Sequence, residues 1–432
     1  MEKIRISPLQ FFSLVLLFEL GTALVVNLGL EAKKDEWLAI LIGLAIGLML
    51  YAVYTRLYLW YPNMLPTAFF RILLGRYLGT LLGIAYMVFF LNKASRDLMD
   101  GGLLVGSFML RETPLFIINL LMIITVAYTL HKGLEVLART ALIFMVIVIA
   151  IGILSLLLMG FAKIIDLNRL MPVMGNGIMP LLQAVPQKNY QFPFAEVIAF
   201  SMLLPFLNNP KKGVKAGYFA LIFAGVILSL TVATIISVLG VELAERSMFP
   251  LLATIGKATI SDFIQRPDIF VVMTLIVGVY FKMSIFSYAA VIGISDVFNI
   301  PYRKLIFPVA LIILYTTTLL ARSTSEYLVE GGKMLYLVDP LFYIVLPVIV
   351  LVAAIIHKLV SRSGGPGAGG GGTIGAGAGL GTDSVAMGTG AGAGSDRGSG
   401  AAGGASTGVK AGSGIGCEVT GVGAGAGDGG SS

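Results

Sequence analysis

The sequence predicts an all-α integral membrane protein: ten transmembrane helices in a five-plus-five inverted repeat, with helices 1 and 6 broken. Three observations carry that prediction. Of 432 residues 57% are hydrophobic and 12% charged, with a mean hydropathy of +0.92, whereas soluble domains carry about 25% charge. Ten apolar runs are each close to the roughly 20 residues that a bilayer core demands. Two of those runs, at matching places in the two halves, pair a carboxylate with a residue that weakens helices.

The runs follow one another at short intervals. The first, 8–30, follows Met-Glu-Lys-Ile-Arg; it is too long for a signal-peptide core and lacks a small-x-small cleavage site, so it reads as an uncleaved helix. Run 37–60 carries Gly43 and Gly47, and the stretch leading into run 79–105 carries Gly75, Gly79 and Gly83, a four-residue spacing that suits close helix packing. Runs 115–131 and 138–161 are apolar throughout, and His131 marks the end of the former. Run 180–207 holds Pro193 and Glu196 and ends at Pro205, beside Asn208, Asn209 and Pro210. Runs 214–241, 268–294, 302–321 and 336–358 complete the set, the last ending at His357. Corresponding runs start about 172 to 187 residues apart, and an odd number of spans per half turns the second half over in the membrane.

The basic loop Asn208-Asn-Pro-Lys-Lys-Gly-Val-Lys215 lies on the same side as the N-terminus, which predicts cytoplasmic termini. From Ser363 the chain turns to Gly, Ala, Ser and Thr without apolar periodicity, so 1–362 is read as the membrane domain and 363–432 as a disordered tail. The pattern made by Gly367, Gly369 and Gly372 neither follows a strand nor opens a helix and carries no nucleotide site. A lone Cys417 supports no disulfide framework.

The interruptions point to chemistry. Run 1 reads Phe18-Glu-Leu-Gly-Thr-Ala-Leu24 and run 6 reads Gln191-Phe-Pro-Phe-Ala-Glu196. Proline removes an N–H and clashes with the carbonyl four residues back, and unpaired backbone at membrane depth is tolerated only against protein or a cavity. Freed N–H groups attract anions and freed carbonyls attract cations, a pairing that suits a zwitterion such as an amino acid. Read one at a time, Pro193 is equally an ordinary kink and Glu196 a partner for a neighbouring helix.

Charges inside spans cost roughly 2.5–3.5 kcal/mol each on insertion scales and mark function by default. Glu19, Glu196 and Lys282 stand in mid-run, and run 3 adds Lys93, Arg96, Asp97 and Asp100. The i,i+4 spacing pairs Lys93 with Asp97 and Arg96 with Asp100, the latter two at a solvated helix end. Lys282 reads as an ion-pair partner of Glu19 or Glu196, whether merely neutralising, standing in for a coupling cation, or holding a ligand carboxylate. There is no HExxH, Cys/His cluster, nucleophile elbow or P-loop, so the reading is a non-enzyme with no metal, cofactor or nucleic-acid partner.

Ile-Ser-Pro-Leu-Gln-Phe-Phe at 6–12, Glu-Leu-Gly-Thr-Ala-Leu at 19–24, Asp-Glu-Trp-Leu-Ala-Ile at 35–40, Arg-Glu-Thr-Pro at 111–114 and Leu-Asn-Arg-Leu-Met-Pro-Val-Met-Gly-Asn-Gly at 167–177 together resemble the B-subunits of GerA-type nutrient germinant receptors. These spore germination proteins belong to the amino acid/polyamine/organocation transporter superfamily, and the resemblance covers residues 1 to about 362. It implies a ten-helix protein of the spore inner membrane that senses a small nutrient, an amino acid foremost, together with an A-subunit and a lipoprotein C-subunit. It also implies a pocket between spans 1, 3, 6 and 8, formed here by Gly21, Thr22, Ala23, Lys93, Pro193, Phe194, Glu196, Lys282 and Phe286. Two departures stand out: the Gly-rich tail is foreign to the family, and two lysines make the pocket unusually charged. A secondary transporter coupled to protons or cations would need the same broken helices. Glu196→Gln and Lys282→Met are expected to weaken the ligand response and leave the fold intact.

Overall fold

In a computed structural model, the chain is described over residues 5–25, 30, 32–175, 177–179, 181, 191–257, 268–320 and 324–363. The Gly-rich tail predicted for 363–432 lies outside these residues from 364 onward, and so does most of 180–190 in the sixth apolar run.

The Ser-Pro-Leu-Gln stretch folds as its chemistry dictates. Ser7 accepts from the Gln10 N–H at 3.2 Å while the Gln10 side chain accepts from the Ser7 N–H at 2.8 Å, a reciprocal capping box with Pro8 at the first helical position. Helix α1 (Pro8–Leu20) starts there and stops at Gly21, after which the chain continues as a 3₁₀ turn, Thr22–Leu24. The following helices are α2 (Glu36–Trp60), the short α3 (Pro66–Leu74), α4 (Arg76–Phe108), α5 (Leu115–Lys132) and α6 (Leu134–Phe161).

From Gln191 onward the sixth run does not form an α-helix. After Pro193 the chain adopts a nine-residue 3₁₀ helix, Phe194–Met202, and a second 3₁₀ turn, Leu204–Phe206, around Pro205. Runs of 3₁₀ longer than about four residues are uncommon and mark hinges or strain. The stretch ends where Leu207 forms an isolated bridge with Ile6, tying it to the start of α1. Asn209 then caps α7 (Pro210–Leu239), its side chain accepting from the Lys212 N–H at 3.1 Å. Two short helices, α8 (Val241–Arg246) and α9 (Pro250–Gly256), precede α10 (Asp268–Phe298), α11 (Tyr302–Leu320), α12 (Thr324–Leu337) and, after a π-helical turn at Leu341–Val345, α13 (Leu346–Ser363).

Eight stretches among the described residues are long and apolar enough to cross a membrane. The two predicted runs missing from that set are 8–30 and 180–207, the two that carry the interruptions: one yields a short apolar helix ending at the glycine, the other a 3₁₀ segment beginning at the proline.

Large apolar side chains such as Tyr77, Leu121, Ile143, Phe161 and Leu311 lie on the outside, as expected where lipid is the solvent. Helix α4 runs along α10, and α1 packs against α6, α7 and α10. The predicted small-residue contacts divide by mechanism. A methyl group on Gly47 would meet Phe194 Cβ at 2.4 Å, and one on Gly79 would meet the Phe70 carbonyl at 2.4 Å, so both are close-approach sites. Gly75 has nothing within 4 Å and a φ of +82°; it is needed for its backbone conformation at the α3–α4 joint.

Candidate functional site

Lys282 is 14 residues from the start of α10 and 16 from its end, and Lys93 is 17 and 15 residues from the ends of α4. At about 1.5 Å rise per residue, each ammonium therefore lies about 21–26 Å from either end of its helix, beyond the reach of its own side chain. Both charges must be met inside the protein.

They are met by one another's partners. Asp339 Oδ2 lies 2.7 Å from Lys93 Nζ, Lys93 lies 3.3 Å from Glu196 Oε1, and Glu196 Oε2 lies 2.5 Å from Lys282 Nζ. Asp339, Lys93, Glu196 and Lys282 thus form a continuous ionic chain with equal numbers of the two charges. Lys282 is 0% exposed and Glu196 3%. The Lys282–Glu196 contact is an ion pair without hydrogen-bond alignment, whereas Lys93 donates to Asp339. The chain crosslinks α4, α10, the 3₁₀ segment and the residues between α12 and α13.

Aromatic rings complete the cages. Lys282 Nζ lies 4.2 Å from the Phe192 ring centroid and 5.3 Å from that of Phe18, and Lys93 Nζ lies 5.6 Å from Phe89 and 5.4 Å from Tyr343. Such contacts contribute about 0.5–2 kcal/mol each, more when desolvated. The Tyr343 hydroxyl donates to Glu196 Oε1 at 3.4 Å. The π-helical turn that presents Tyr343 is held by two other tyrosines: Tyr54 donates to the Tyr343 carbonyl at 2.6 Å and Tyr86 to the Phe342 carbonyl at 2.8 Å.

The break in α1 is built on backbone contact. A methyl group on Gly21 would lie 2.9 Å from the Gly278 carbonyl and 3.0 Å from Lys282 Cβ, and one on Gly278 would lie 2.9 Å from Gly21 Cα. Gly278 stands one turn before Lys282, so the same close approach seats the base of the lysine beside the break. Thr22 donates to Asp97 Oδ1 at 3.3 Å, and Asp97 Oδ2 has no hydrogen-bond partner. Glu19 is 0% exposed, and neither of its oxygens has a partner. It also lies at the C-terminal end of α1, the end that disfavours an anion.

Of the predicted site residues, Lys93, Glu196 and Lys282 come together directly, with Gly21 against Lys282 and Pro193 capping the segment that carries Glu196. Thr22 adjoins through Asp97; Phe286 stands beside Phe18, ring centroids 5.0 Å apart; Ala23 is buried in the 3₁₀ turn. Phe194 packs on Gly47 of α2.

Two expectations are corrected and one is decided between its two alternatives. The Lys93–Asp97 pair does not form, because Lys93 reaches across to Asp339 and Glu196 while Asp97 accepts from Thr22. Arg96 and Asp100 do not pair at a solvated end either. Arg96 donates to Asn92 and covers the Tyr327 ring, and Tyr327 donates to Asp100 at 2.7 Å. Lys282 pairs with Glu196 and leaves Glu19 alone. Asp339 was not anticipated, yet Val338-Asp-Pro340 repeats the signal seen at Gly21 and Pro193, a carboxylate next to a helix breaker inside an apolar run.

A multi-pass helical bundle with interrupted segments meeting at a buried ionic chain defines a membrane protein with a transporter-like fold. The solved structure of Mhp1, a nucleobase-cation-symport-1 family transporter in a closed conformation with bromovinylhydantoin bound, shares the fold: TM-score 0.62 at 11% identity, over 77% of this chain and 76% of that one. The sequence narrows the class. A family model described as spore germination protein matches residues 5–326. Spore germination protein KB of Bacillus subtilis (strain 168) is 38% identical over 361 residues, 83% of this chain and 96% of that protein. Spore germination protein YndE of the same strain is 27% identical over 325 residues, 74% and 87% of the two chains. The chain belongs to the spore germination protein family.

Proposed function

We propose that this chain is the ligand-binding subunit of a nutrient germinant receptor in the spore inner membrane. In this reading it has ten spans in a five-plus-five inverted repeat and works with an A-subunit and a lipoprotein C-subunit. It takes a small germinant, an amino acid foremost, at Gly21, Thr22, Ala23, Lys93, Pro193, Glu196, Lys282 and Phe286, with Phe194 seating the segment on α2.

The observation that supports the reading best is the ionic chain at the α1 break together with the unpartnered Glu19. Charged groups buried at this depth are costly, and here they offer both a carboxylate and ammonium groups to a zwitterion. The ligand's carboxylate would compete with Glu196 for the lysines, and its ammonium would be received by Glu19. Kinship with germination proteins favours sensing over bulk transport.

The test is direct binding of amino acids, sugars and nucleosides to purified protein, followed by counterflow of the best binder in proteoliposomes. Saturable binding without counterflow is expected. Robust counterflow would replace the receptor by a secondary transporter, and no saturable binding would reduce the chain to a scaffold for its partners.

A further inference from the structure

A small cavity of about 30 Å³ lies between α2, α3, α4, the 3₁₀ segment and α13. By volume it holds about one or two waters. Its outer end is at Met64, which is 40% exposed in the turn between α2 and α3. Phe69 and Phe70 of α3 wall it, Ser201 lines it, and its inner end reaches Phe90 and Ile198. Phe90 stands three residues before Lys93 and Ile198 two after Glu196, so the cavity runs from the N-terminal face to within a turn of the ionic chain. Tyr54 and Tyr86, which hold the π-helical turn of Tyr343, also line it.

Helix α3 has two working faces. Phe69 and Phe70 close the cavity, while Thr67 and Arg71, four residues apart, both bond Asp296 Oδ2 on α10, at 2.6 and 2.7 Å. This latch is half in solvent, with side-chain exposures of 33% for Arg71 and 15% for Asp296. Behind it is a joint suited to rotation: Gly75, with φ +82° and no neighbour within 4 Å of a methyl group placed there, separates α3 from α4. Beyond the joint, the Phe70 carbonyl and the Arg71 backbone rest directly on Gly79.

We propose that α3 is a lid over an access path by which water and small polar solutes reach the buried ionic chain from the N-terminal face, and that the Thr67–Arg71–Asp296 latch holds it shut. The walls are largely aromatic rings that yield by rotation, and Ser201, Tyr54, Tyr58 and Tyr86 set polar groups among them, which suits water better than a purely apolar packing defect would. The inference stands independently of which ligand the site takes.

The test uses the full chain in membrane vesicles, with Cys417→Ser as background and Ser201→Cys as reporter. The probe is a membrane-impermeant trimethylammonium-ethyl methanethiosulfonate, applied to either face. With the latch intact, modification at Ser201→Cys is expected to be slow and to occur only from the N-terminal face. Arg71→Ala or Asp296→Asn should accelerate it about tenfold, the size expected for losing one half-exposed ion pair and its hydrogen bond. Both substitutions are at a partly exposed position, and size-exclusion profiles matching the parent confirm folding. If either fails that check, Thr67→Ala, which removes one hydrogen bond, is read instead. Rates unchanged by opening the latch would overturn the lid, and labelling from the opposite face would overturn the path.

Discussion

Replacing Glu196 by Gln tests the ionic chain where it is most exposed to failure. Glu196 is the only carboxylate within 4.0 Å of Lys282 among the described residues, and Lys282 is 0% exposed. Glu196→Gln therefore strands a buried ammonium, which costs about 3–5 kcal/mol when one partner of a buried pair is removed. Lys282→Met is milder. Glu196 keeps Lys93 at 3.3 Å and the Tyr343 hydroxyl at 3.4 Å, so the loss is about 1–3 kcal/mol, that of a buried acceptor deprived of one partner. In the double variant neither group is stranded, because Lys93 retains Asp339. Its cost should fall about 2–3 kcal/mol short of the sum, at the upper end for residues in contact. Equilibrium unfolding in mixed micelles, read by circular dichroism, measures all three. Additivity within about 0.5 kcal/mol would refute the chain. The burial of Lys282 also revises the expectation that Glu196→Gln leaves the fold intact.

Glu19→Met should act in the opposite sense on stability. Removing a fully buried carboxylate with no partner relieves a desolvation cost of about 1–3 kcal/mol, while the ligand response falls; an unfolding free energy at or below the parent's would refute the unpaired state. Gly21→Ala places a methyl group 2.9 Å from the Gly278 carbonyl. It should cost about 1–3 kcal/mol by overpacking, and the same unfolding assay reads it; a neutral result would mean that α1 and α10 do not meet backbone to backbone.

Much of the fold was legible because a bilayer imposes a simple rule, and eight apolar runs became eight long helices. Gly21 and Pro193 were legible for the converse reason: a residue that weakens a helix is conspicuous where only helices are expected. Partnerships were less legible. Residues four apart on α4 suggest local pairing, but Lys93 was claimed by Asp339, 246 positions away, because only tertiary packing brings a second carboxylate to the same depth. Asp339 itself was hidden by its place near the start of the last run, where a charge reads as the edge of a span. Gly278 gave no warning either: in sequence it is a lone glycine in an apolar stretch, and its contact with Gly21 exists only once α1 and α10 are side by side.

The completeness of the ionic chain bears on how such a site could signal. Its ion pairs join the 3₁₀ segment, α4, α10 and the α12–α13 turn, so in this state the protein's own charges satisfy most of the groups that a ligand would use. A ligand can shift a conformational equilibrium only by its difference in affinity between two states, and a swing from 1:99 to 99:1 requires about 5.5 kcal/mol. One buried ion pair broken without replacement is worth nearly that much. A ligand carboxylate that takes over the lysines from Glu196 uncouples the 3₁₀ segment from α4 and α10 and leaves Glu196 with the Tyr343 hydroxyl, a cost that the ligand's own contacts must offset. Glu19, unpaired before, then gains the ligand's ammonium. Under the proposed function the resting receptor stays shut because the crosslink is satisfied internally. It responds selectively because only a ligand carrying both charges can replace what it displaces and meet the carboxylate left unpaired.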